Sequence, residues 1–161
     1  FRLCDGLQGI RPEEVDGVAI AGMGGETIAA ILAAAPWTRE QNVPLILQPM
    51  SSMPDLRKWL EENGYQIITE ELCREGDTLY TAMLVRAGAM EPQSPGELWA
   101  GRNRNHPLRG AWLDQWLGRM GRALEGMEQA QGEEVRTKRE QLAQVRAELL
   151  HMREEWNQWQ R

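Results

Sequence analysis

The chain has 161 residues, of which 42% are hydrophobic and 26% charged, and a formal net charge of −6. This length is enough for one domain with a core and an appendage. No apolar run approaches the roughly 20 residues needed to cross a bilayer, so we expect no membrane span. The negative net charge argues against general nucleic-acid binding, although a local basic patch would still allow contact with RNA.

The few cysteines and histidines predict a cytoplasmic protein without a metal site. Cys4 and Cys73 are the only cysteines, and His106 and His151 are the only histidines. Two isolated thiols suit a reducing cytosol better than a disulfide framework, and none of these residues has metal-ligand spacing.

The first predicted element is the end of a strand at residues 1–4, followed by a turn at Asp5-Gly6. It has neither an initiator methionine nor the apolar segment of a signal peptide, so we expect it to be internal to a longer sequence. A carboxylate at the carboxyl end of a strand can accept hydrogen bonds from a bound nucleoside. The alternative role for Asp5 is to cap the next helical turn.

The strongest local pattern follows at residues 16–35. Residues 18–21 form a compact apolar run that predicts a buried parallel strand. Gly22-Met23-Gly24-Gly25 predicts a turn where backbone can approach a ligand closely, because glycine lacks a Cβ. Residues 27–35 predict a helix. Open α/β sheets hold ligands in this arrangement at the carboxyl ends of their strands. The alternative is a tight connection that binds no ligand.

A second buried strand is predicted at residues 43–47. We expect it to stop at Gln48-Pro49, because proline removes a backbone donor. Gln48 then lies at the same sheet edge as Gly22, with a side-chain amide that can both donate and accept.

The next predicted elements are a helix and a β-hairpin. Ser51 or Ser52 is expected to cap a helix at residues 54–62, and Gly64 to end it. Residues 65–73 and 78–87 predict strands joined by a glycine-containing connector. The alternation of strands and helices predicts a parallel sheet with helices on both faces.

The remaining sequence predicts a linker at residues 89–106 and helices at residues 107–161. In the first helix, apolar residues recur at spacings of four and three, at Leu113, Leu117, Met120, Leu124 and Met127. After a break near Gln131-Gly132 they recur every seven residues, at Val135, Leu142, Leu149 and Trp156. These repeats predict an antiparallel helical hairpin with a coiled-coil seam, through which the chain could self-associate.

Basic residues cluster at the linker and the start of the hairpin. They are Arg102, Arg104, Arg109, Arg119 and Arg122. Phosphates attract arginine regardless of base, so these residues are the candidates for binding an RNA backbone. A solvated helix face is the alternative, and the sequence alone favours it.

Residues 1–87 resemble the bacterial tRNA (adenine-N1)-methyltransferases that modify adenine 22. The final hairpin would insert an antiparallel strand into the sheet, which is typical of the last two strands of class I methyltransferases. Four motifs carry the resemblance: Arg2-Leu-x-Asp5-Gly-Leu7, Ile20-Ala-Gly-Met-Gly-Gly25, Leu45-Ile-Leu-Gln-Pro49 and Arg57-Lys-Trp-Leu-Glu-Glu-Asn-Gly-Tyr65. A methyltransferase domain followed by a helical coiled-coil domain is also similar to this family, although the helical part matches in character only.

The resemblance implies a fold, a cofactor and a substrate. The expected fold is α/β, a partial Rossmann-like class I methyltransferase sheet at residues 1–88 followed by an all-α helical hairpin or coiled-coil domain. The implied activity is transfer of a methyl group from S-adenosylmethionine to N1 of an adenine in tRNA. Adenine N1 already carries a lone pair, so this transfer needs positioning more than a strong general base.

The resemblance also assigns residues to the site. The implied cofactor-binding residues are Asp5, Gly6, Ala21, Gly22, Met23, Gly24 and Gly25. The implied catalytic residues, which meet the target base, are Gly22, Met23, Gln48 and Pro49. Met50 stands where the family usually has asparagine, so a polar contact to the base is missing or replaced.

The family's first strand and glycine-rich cofactor loop have no counterpart in this sequence. We therefore expect an incomplete domain that by itself binds S-adenosylmethionine weakly or not at all. The competing hypothesis is a non-catalytic helical interaction module attached to a methyltransferase relic. A dinucleotide-binding domain is a third hypothesis, but Gly22-Met-Gly-Gly25 does not fit a Gly-x-Gly-x-x-Gly fingerprint.

Overall fold

A computed structural model describes residues 1–128 and 132–160 of the chain. The chain divides into two compact units, Phe1–Pro92 and Gln93–Arg161, and each is described by itself. The predicted break at Gln131 lies outside the described residues. None of the helices among the described residues is long and apolar enough to span a membrane.

The first unit is an α/β unit with a four-stranded sheet. Its elements after a short 3₁₀ helix are β1 Val18–Gly24, α1 Gly25–Ala33, α2 Trp37–Glu40, β2 Leu45–Ser51, α3 Met53–Glu62, β3 Tyr65–Glu75 and β4 Thr78–Ala87. The strand order is β1-β2-β4-β3. The prediction of both hairpin strands is confirmed, and Gly76 adopts a positive φ of 58° in the turn between them.

The sheet is mixed rather than parallel. Only β1 and β2 run parallel among the described strands, whereas β4 is antiparallel to both of its neighbours, β2 and β3. The reason is the hairpin: a two-residue turn can join only antiparallel strands, whereas a parallel pair needs a crossover such as α1 with α2. The insertion of β4 between β2 and β3 agrees with the predicted closing hairpin.

The core of this unit lies on one face of the sheet. Side chains of all four described strands and two helices form a buried cluster that includes Ile20, Leu45, Leu47, Met83, Val85, Tyr65, Ile28, Leu32, Leu56 and Leu60. On the opposite face Ala19 and Ala21 are exposed, and Ile46 is 53% exposed. The prediction of helices on both faces is therefore not met by the described residues, because α1, α3 and Trp37 of α2 all join the same cluster.

Two predicted strand ends differ from the structure. β1 continues through the glycines to Gly24, and β2 continues through Pro49 to Ser51. Proline is tolerated there because β4 pairs with β2 only over residues 45–47, so residue 49 lies beyond the antiparallel ladder. Ser52 is the N-cap of α3 as expected, but its φ of 50° is left-handed and its side chain makes no capping hydrogen bond.

The second unit consists of three helices, α4 Pro95–Ala100, α5 Arg109–Gly126 and α6 Glu133–Trp159, among the residues that the structure describes. The predicted linker therefore contains a helix. Ser94 and Glu97 form a capping box at the start of α4. The Ser-x-x-Glu spacing was the sequence signal for this helix.

The helices α5 and α6 form the predicted antiparallel hairpin. The first turns of α5 meet the last turns of α6, since Asp114 pairs with Arg153 at 2.8 Å and Gly110 packs against Trp156. Val145 and Leu149 are the buried residues of α6, of which Leu149 is one of the predicted heptad positions, whereas Trp159 is 76% exposed. A continuous coiled-coil seam therefore stays a prediction.

A buried ion pair ties α3 to β3 in the first unit. The side chain of Arg57 is 0% exposed, and its Nη2 donates to Oε1 of Glu70 at 2.5 Å while Nε donates to the same oxygen at 3.0 Å. Both residues face the buried side of the sheet. An isolated buried charge is costly, so each partner depends on the other.

We expect Arg57→Ala to destabilise the first unit by about 3–5 kcal/mol, because it leaves the Glu70 carboxylate buried without its cation. Urea unfolding measures the effect. The matched control is Lys58→Ala on the same helix, whose ammonium pairs at the surface with Glu61 and contributes at most about 1 kcal/mol. Equal losses for the two variants would contradict the prediction.

Candidate functional site

The candidate site lies where the parallel strands β1 and β2 end side by side. Ala21 pairs with Gln48, Met23 with Pro49 and Gly24 with Ser51. The predicted glycine turn and the predicted Gln48-Pro49 segment therefore lie together, as the sequence indicated. Parallel pairing is the cause, because it places both carboxyl ends at one edge.

Gly22 is a bulge residue in β1. The register skips it, since Ala21 and Met23 pair with consecutive residues of β2. Its φ is +76°, a left-handed conformation that glycine adopts without a steric penalty. An added Cβ would meet nothing within 4 Å, so open space lies beside this backbone. The bulge leaves a stretch of accessible main chain at the end of β1.

The side chain of Gln48 holds this bulge. Its Oε1 accepts a hydrogen bond from the backbone N–H of Gly22 at 2.9 Å. Its Nε2 donates to the carbonyl of Pro49 at 3.3 Å and contacts the sulfur of Met50 at 3.4 Å. The amide thus uses both its acceptor and its donor within the two strand ends, which fixes its orientation.

A steric constraint sets the positions of α1 and α3 just behind the site. An added Cβ on Gly25 would overlap the carbonyl oxygen of Ser52 and approach Cβ of Leu56 to 2.9 Å. Gly25 is the first residue of α1 and is buried, and Ser52 is the N-cap of α3. Only glycine allows the two helix starts to approach this closely.

Two exposed methionines flank the site. Met23 is 42% exposed and Met50 is 49% exposed. Methionine is flexible and polarisable, so it can form an adaptable apolar wall against a planar ligand. Met50 also supplies the thioether that Gln48 contacts, where an asparagine would have offered an amide.

Asp5 and Gly6 lie in a separate turn that packs near α1. The carbonyl of Asp5 accepts from the N–H of Gln8 at 3.1 Å, and a Cβ on Gly6 would stand 3.1 Å from Ile31. The carboxylate of Asp5 is exposed, so it is accessible to a ligand. This turn therefore packs against α1, the helix that follows β1.

An ion pair holds the segment around this turn. Both guanidinium nitrogens of Arg2 donate to the carboxylate of Glu14, at 2.5 and 2.6 Å. Hydrogen bonds from Arg2, and then from the backbone of Arg11, hold the pKa of Glu14 well below its usual range. This carboxylate is therefore ionised at neutral pH, where it can accept hydrogen bonds from Arg2.

The five candidate RNA-binding arginines divide into two groups. Arg109 is buried, and its guanidinium donates to the carbonyls of Ala100 and Gly101 and to Asn103. Its donors are used within the fold, which argues against a phosphate contact. The other four, which are at least partly exposed, are Arg102, Arg104, Arg119 and Arg122. Of these, Arg102 and Arg104 pair with Glu97, and Arg119 stacks on Trp116 at 5.0 Å.

The described residues contain no group of three or more histidine, cysteine, aspartate or glutamate side chains that could hold a metal ion. The two cysteines are free and exposed. The described site is therefore built from backbone, glycines, an amide and thioethers.

The profile of the methyltransferase domain family matches residues 1–83. That match covers more than half of the chain and includes β1, β2 and every residue of the candidate site. The chain belongs to the methyltransferase domain family. The hairpin strand β4 lies between β2 and β3. This strand order agrees with the inserted antiparallel strand that the resemblance to class I methyltransferases predicts.

A curated relative gives the same assignment. Over 84 residues the sequence is 38% identical to a tRNA (adenine(22)-N(1))-methyltransferase of Bacillus subtilis (strain 168). The alignment covers 52% of this chain and 35% of the relative, so the matched part spans about a third of that protein's length.

Two solved structures resemble the chain over most of its length. The B. subtilis m1A22 tRNA methyltransferase TrmK has a TM-score of 0.76 and 27% identity, covering 94% of this chain and 69% of its own. A candidate tRNA (m1A22) methyltransferase of Streptococcus pneumoniae, in complex with S-adenosyl-L-methionine, has a TM-score of 0.76 and 28% identity, covering 94% of this chain and 67% of its own. These likenesses confirm the resemblance that the sequence motifs predicted.

Sequence reasoning missed two features of this candidate site. One is the hydrogen bond from Gly22 to Gln48, and the other is the close approach of Gly25 to Ser52. The run of three glycines within four residues was the available signal for both. It did not show which glycine serves backbone conformation and which serves packing, because both requirements produce the same residue.

We expect the two glycines to respond differently to alanine. Gly22→Ala meets open space but strains a left-handed backbone, which costs roughly 1–2 kcal/mol. Gly25→Ala forces α1 away from α3 and costs about 2–3 kcal/mol. Chemical denaturation of both variants measures the difference.

The control for these two variants is Gly121→Ala in α5, where an added Cβ also meets nothing within 4 Å and φ is ordinary. It should stabilise its helix by roughly 0.5–1 kcal/mol. A Gly25→Ala variant as stable as the unsubstituted chain would show that the α1–α3 contact is not a constraint.

Proposed function

We propose that this chain forms part of an S-adenosylmethionine-dependent tRNA methyltransferase that acts on N1 of an adenine of the position-22 type. The observation that carries the proposal is the 38% identity to such an enzyme over 84 residues. The bulged end of β1, held by Gln48, supports it, because it places accessible backbone beside a second strand end.

The residues present are suited to the cofactor. The methyl donor would supply an electrophilic methyl group on a sulfonium. Ala21, Gly22 and Met23 are exposed, with open space beside Gly22, so main-chain groups there can contact a ligand without side-chain obstruction. The exposed carboxylate of Asp5 can accept hydrogen bonds from an amino or hydroxyl group of a nucleoside.

The target adenine would lie against the ends of β1 and β2. Met23 and Met50 provide exposed apolar surface for its ring, whereas Pro49 is buried and shapes the end of β2 from inside. Gln48 has its amide committed to Gly22 and Pro49, so we assign it the role of holding the site's shape. No strong base is required in this site, since adenine N1 carries its own lone pair and positioning dominates the barrier.

The tRNA backbone would be contacted by arginines of the second unit. Arg122 and Arg119 are exposed on α5, and Arg104 carries only a 3.8 Å pair with Glu97. An Arg119 guanidinium stacked on Trp116 keeps its N–H edge available to a phosphate. Free, exposed thiols at Cys4 and Cys73 and a tRNA substrate both agree with a cytoplasmic location.

The test is calorimetric titration with S-adenosylhomocysteine, on the chain as given and on a version extended toward the amino terminus through its reading frame. Binding by the extended form, followed by methylation of unmodified tRNA at an adenine N1, is the expected result. No binding by either form would reject the enzyme and favour the helical interaction module.

Within the active form, we expect Gln48→Ala to lower kcat/KM about 10- to 100-fold, because the bulge that Gln48 holds would shift. A displacement of about 1 Å at a reacting group can lower the rate by about 100-fold. Gln41→Ala, an exposed glutamine at the end of α2, is the matched control and should leave kcat/KM within twofold. Amide hydrogen exchange at Gly22 should quicken in the Gln48 variant alone. Unchanged exchange would show that Gln48 does not hold the bulge.

A further inference from the structure

The second unit contains a cavity of about 530 Å³ that the proposed methyltransferase chemistry does not use. It is lined by the start of α4, the turn after α4 and the last four turns of α6. Its volume falls in the range of sites that hold small organic molecules. All of its lining residues belong to this one unit.

The walls of the cavity are held in place by internal contacts. The N–H of Gly96 donates to Oε2 of Glu148 at 2.7 Å. The indole of Trp156 packs on Gly110 so closely that an added Cβ would stand 2.7 Å from its ring. Arg153 lies over the same indole at 5.2 Å and is itself bound by Asp114. The cavity is therefore preformed rather than a gap between mobile side chains.

Two indoles and several hydrogen-bonding groups line the cavity. Trp156 and Trp159 lie three residues apart on α6, and so on neighbouring positions of one helix face. Trp159 is 76% exposed, an unusual exposure for the most hydrophobic type of ring. Glu155, whose Oε1 lies 3.4 Å from Nε2 of His151, supplies carboxylate acceptors, and Arg104 supplies an exposed guanidinium.

The charges of the lining argue against a phosphate inside the cavity. Three carboxylates line it, from Glu97, Glu148 and Glu155, against two guanidinium groups. One of the two, that of Arg109, is committed to backbone carbonyls and to Asn103. A neutral ring with polar edges suits this lining better than an anion does.

An unpaired donor argues against a basic side chain as the occupant. Nε1 of Trp156 is buried and has no acceptor among the described residues. Lysine and arginine side chains carry donors only, so neither could satisfy it. A nucleobase carries ring-nitrogen or carbonyl acceptors together with donors, and its faces stack on indoles.

We propose that this cavity binds a nucleobase of single-stranded RNA, stacked against Trp159, with Glu155 accepting from its donor edge. The proposal rests on the proposed function in that it assigns the RNA to the tRNA substrate. Unpaired bases of RNA are bound in this way, by aromatic stacking together with hydrogen bonds to base edges. The cavity would then hold an unpaired nucleotide other than the methylated adenine.

The test uses fluorescence anisotropy of a labelled single-stranded RNA decamer with the whole chain. Trp159→Ala should raise Kd about tenfold, which is a typical effect of losing one base–aromatic stack. Glu155→Gln, which keeps the shape of the side chain, should raise Kd severalfold. The matched control is Leu150→Ala, which changes an exposed apolar residue of α6 outside the cavity and should leave Kd within twofold.

Further ligands distinguish recognition of a base from contact with phosphates or with a basic peptide. A decamer with abasic sugars at every position keeps the phosphates and should bind at least tenfold more weakly. Adenosine alone, if it binds as tightly as the decamer and competes with it, would support the base chemistry and assign the site to a free nucleoside. Equal binding of the abasic decamer, or a Trp159→Ala variant with unchanged Kd and unchanged helicity, would overturn the proposal. The proposal would also be overturned if an arginine tripeptide bound instead of RNA and Trp159→Ala abolished that binding.

Failure of this proposal and failure of the proposed function are distinguishable. S-adenosylhomocysteine binding and tRNA methylation are measured on the same variants. If the extended form methylates tRNA but Trp159→Ala changes neither Kd nor KM, only the nucleobase cavity is rejected. If the extended form binds no cofactor while the decamer binds in a Trp159-dependent way, the enzyme is rejected and the cavity stands.

Discussion

The parallel pairing of β1 with β2 is the interaction on which the candidate site depends. It brings the two strand ends to one edge, and the bulge at Gly22 lets them continue past the point where regular pairing stops. Gln48 then ties the bulge to the neighbouring strand through the Gly22 amide. Helices α1 and α3 begin immediately afterwards, and their separation is limited by the contact between Gly25 and Ser52. The position of each part follows from the one before it.

Some charged residues of this chain stabilise the fold and are not available to bind a ligand. Arg57 and Glu70 form a buried pair, and Arg109 binds backbone carbonyls. Because burying a guanidinium is costly, such residues must use their donors internally and cannot also bind a phosphate. Of the five arginines that the sequence offered as candidates for an RNA contact, four are exposed, and two of these lie on α5.

The two units combine different kinds of candidate site. At the sheet edge of the first unit the groups are backbone, one amide and two thioethers, which suits positioning rather than acid–base chemistry. In the second unit the cavity combines indoles with carboxylates, which suits recognition of a flat polar ring. The proposed activity on one nucleotide of an RNA would need both a place for chemistry and a means of holding the rest of the substrate.

The sequence by itself determined the elements and the family. Apolar runs placed β1, β2 and the hairpin strands, four ordered motifs indicated the methyltransferase family, and the spacing of leucines predicted α5 and α6. Local rules suffice for these features, because period and turn residues act over a few positions. The helix α4 was also within reach of sequence, through its Ser94 and Glu97 capping box.

Only the tertiary structure decided which residues face which partner. Nothing in the sequence distinguishes buried Arg109 from exposed Arg119, since both are arginines on one helix; the fold alone sets their different surroundings. The strand's continuation through Pro49 depended on where β4 stops pairing. The cavity beside Trp156 and Trp159 arises where α4 and α6 pack, although these are about 50 residues apart. Long-range packing determines such features, and local patterns do not encode it.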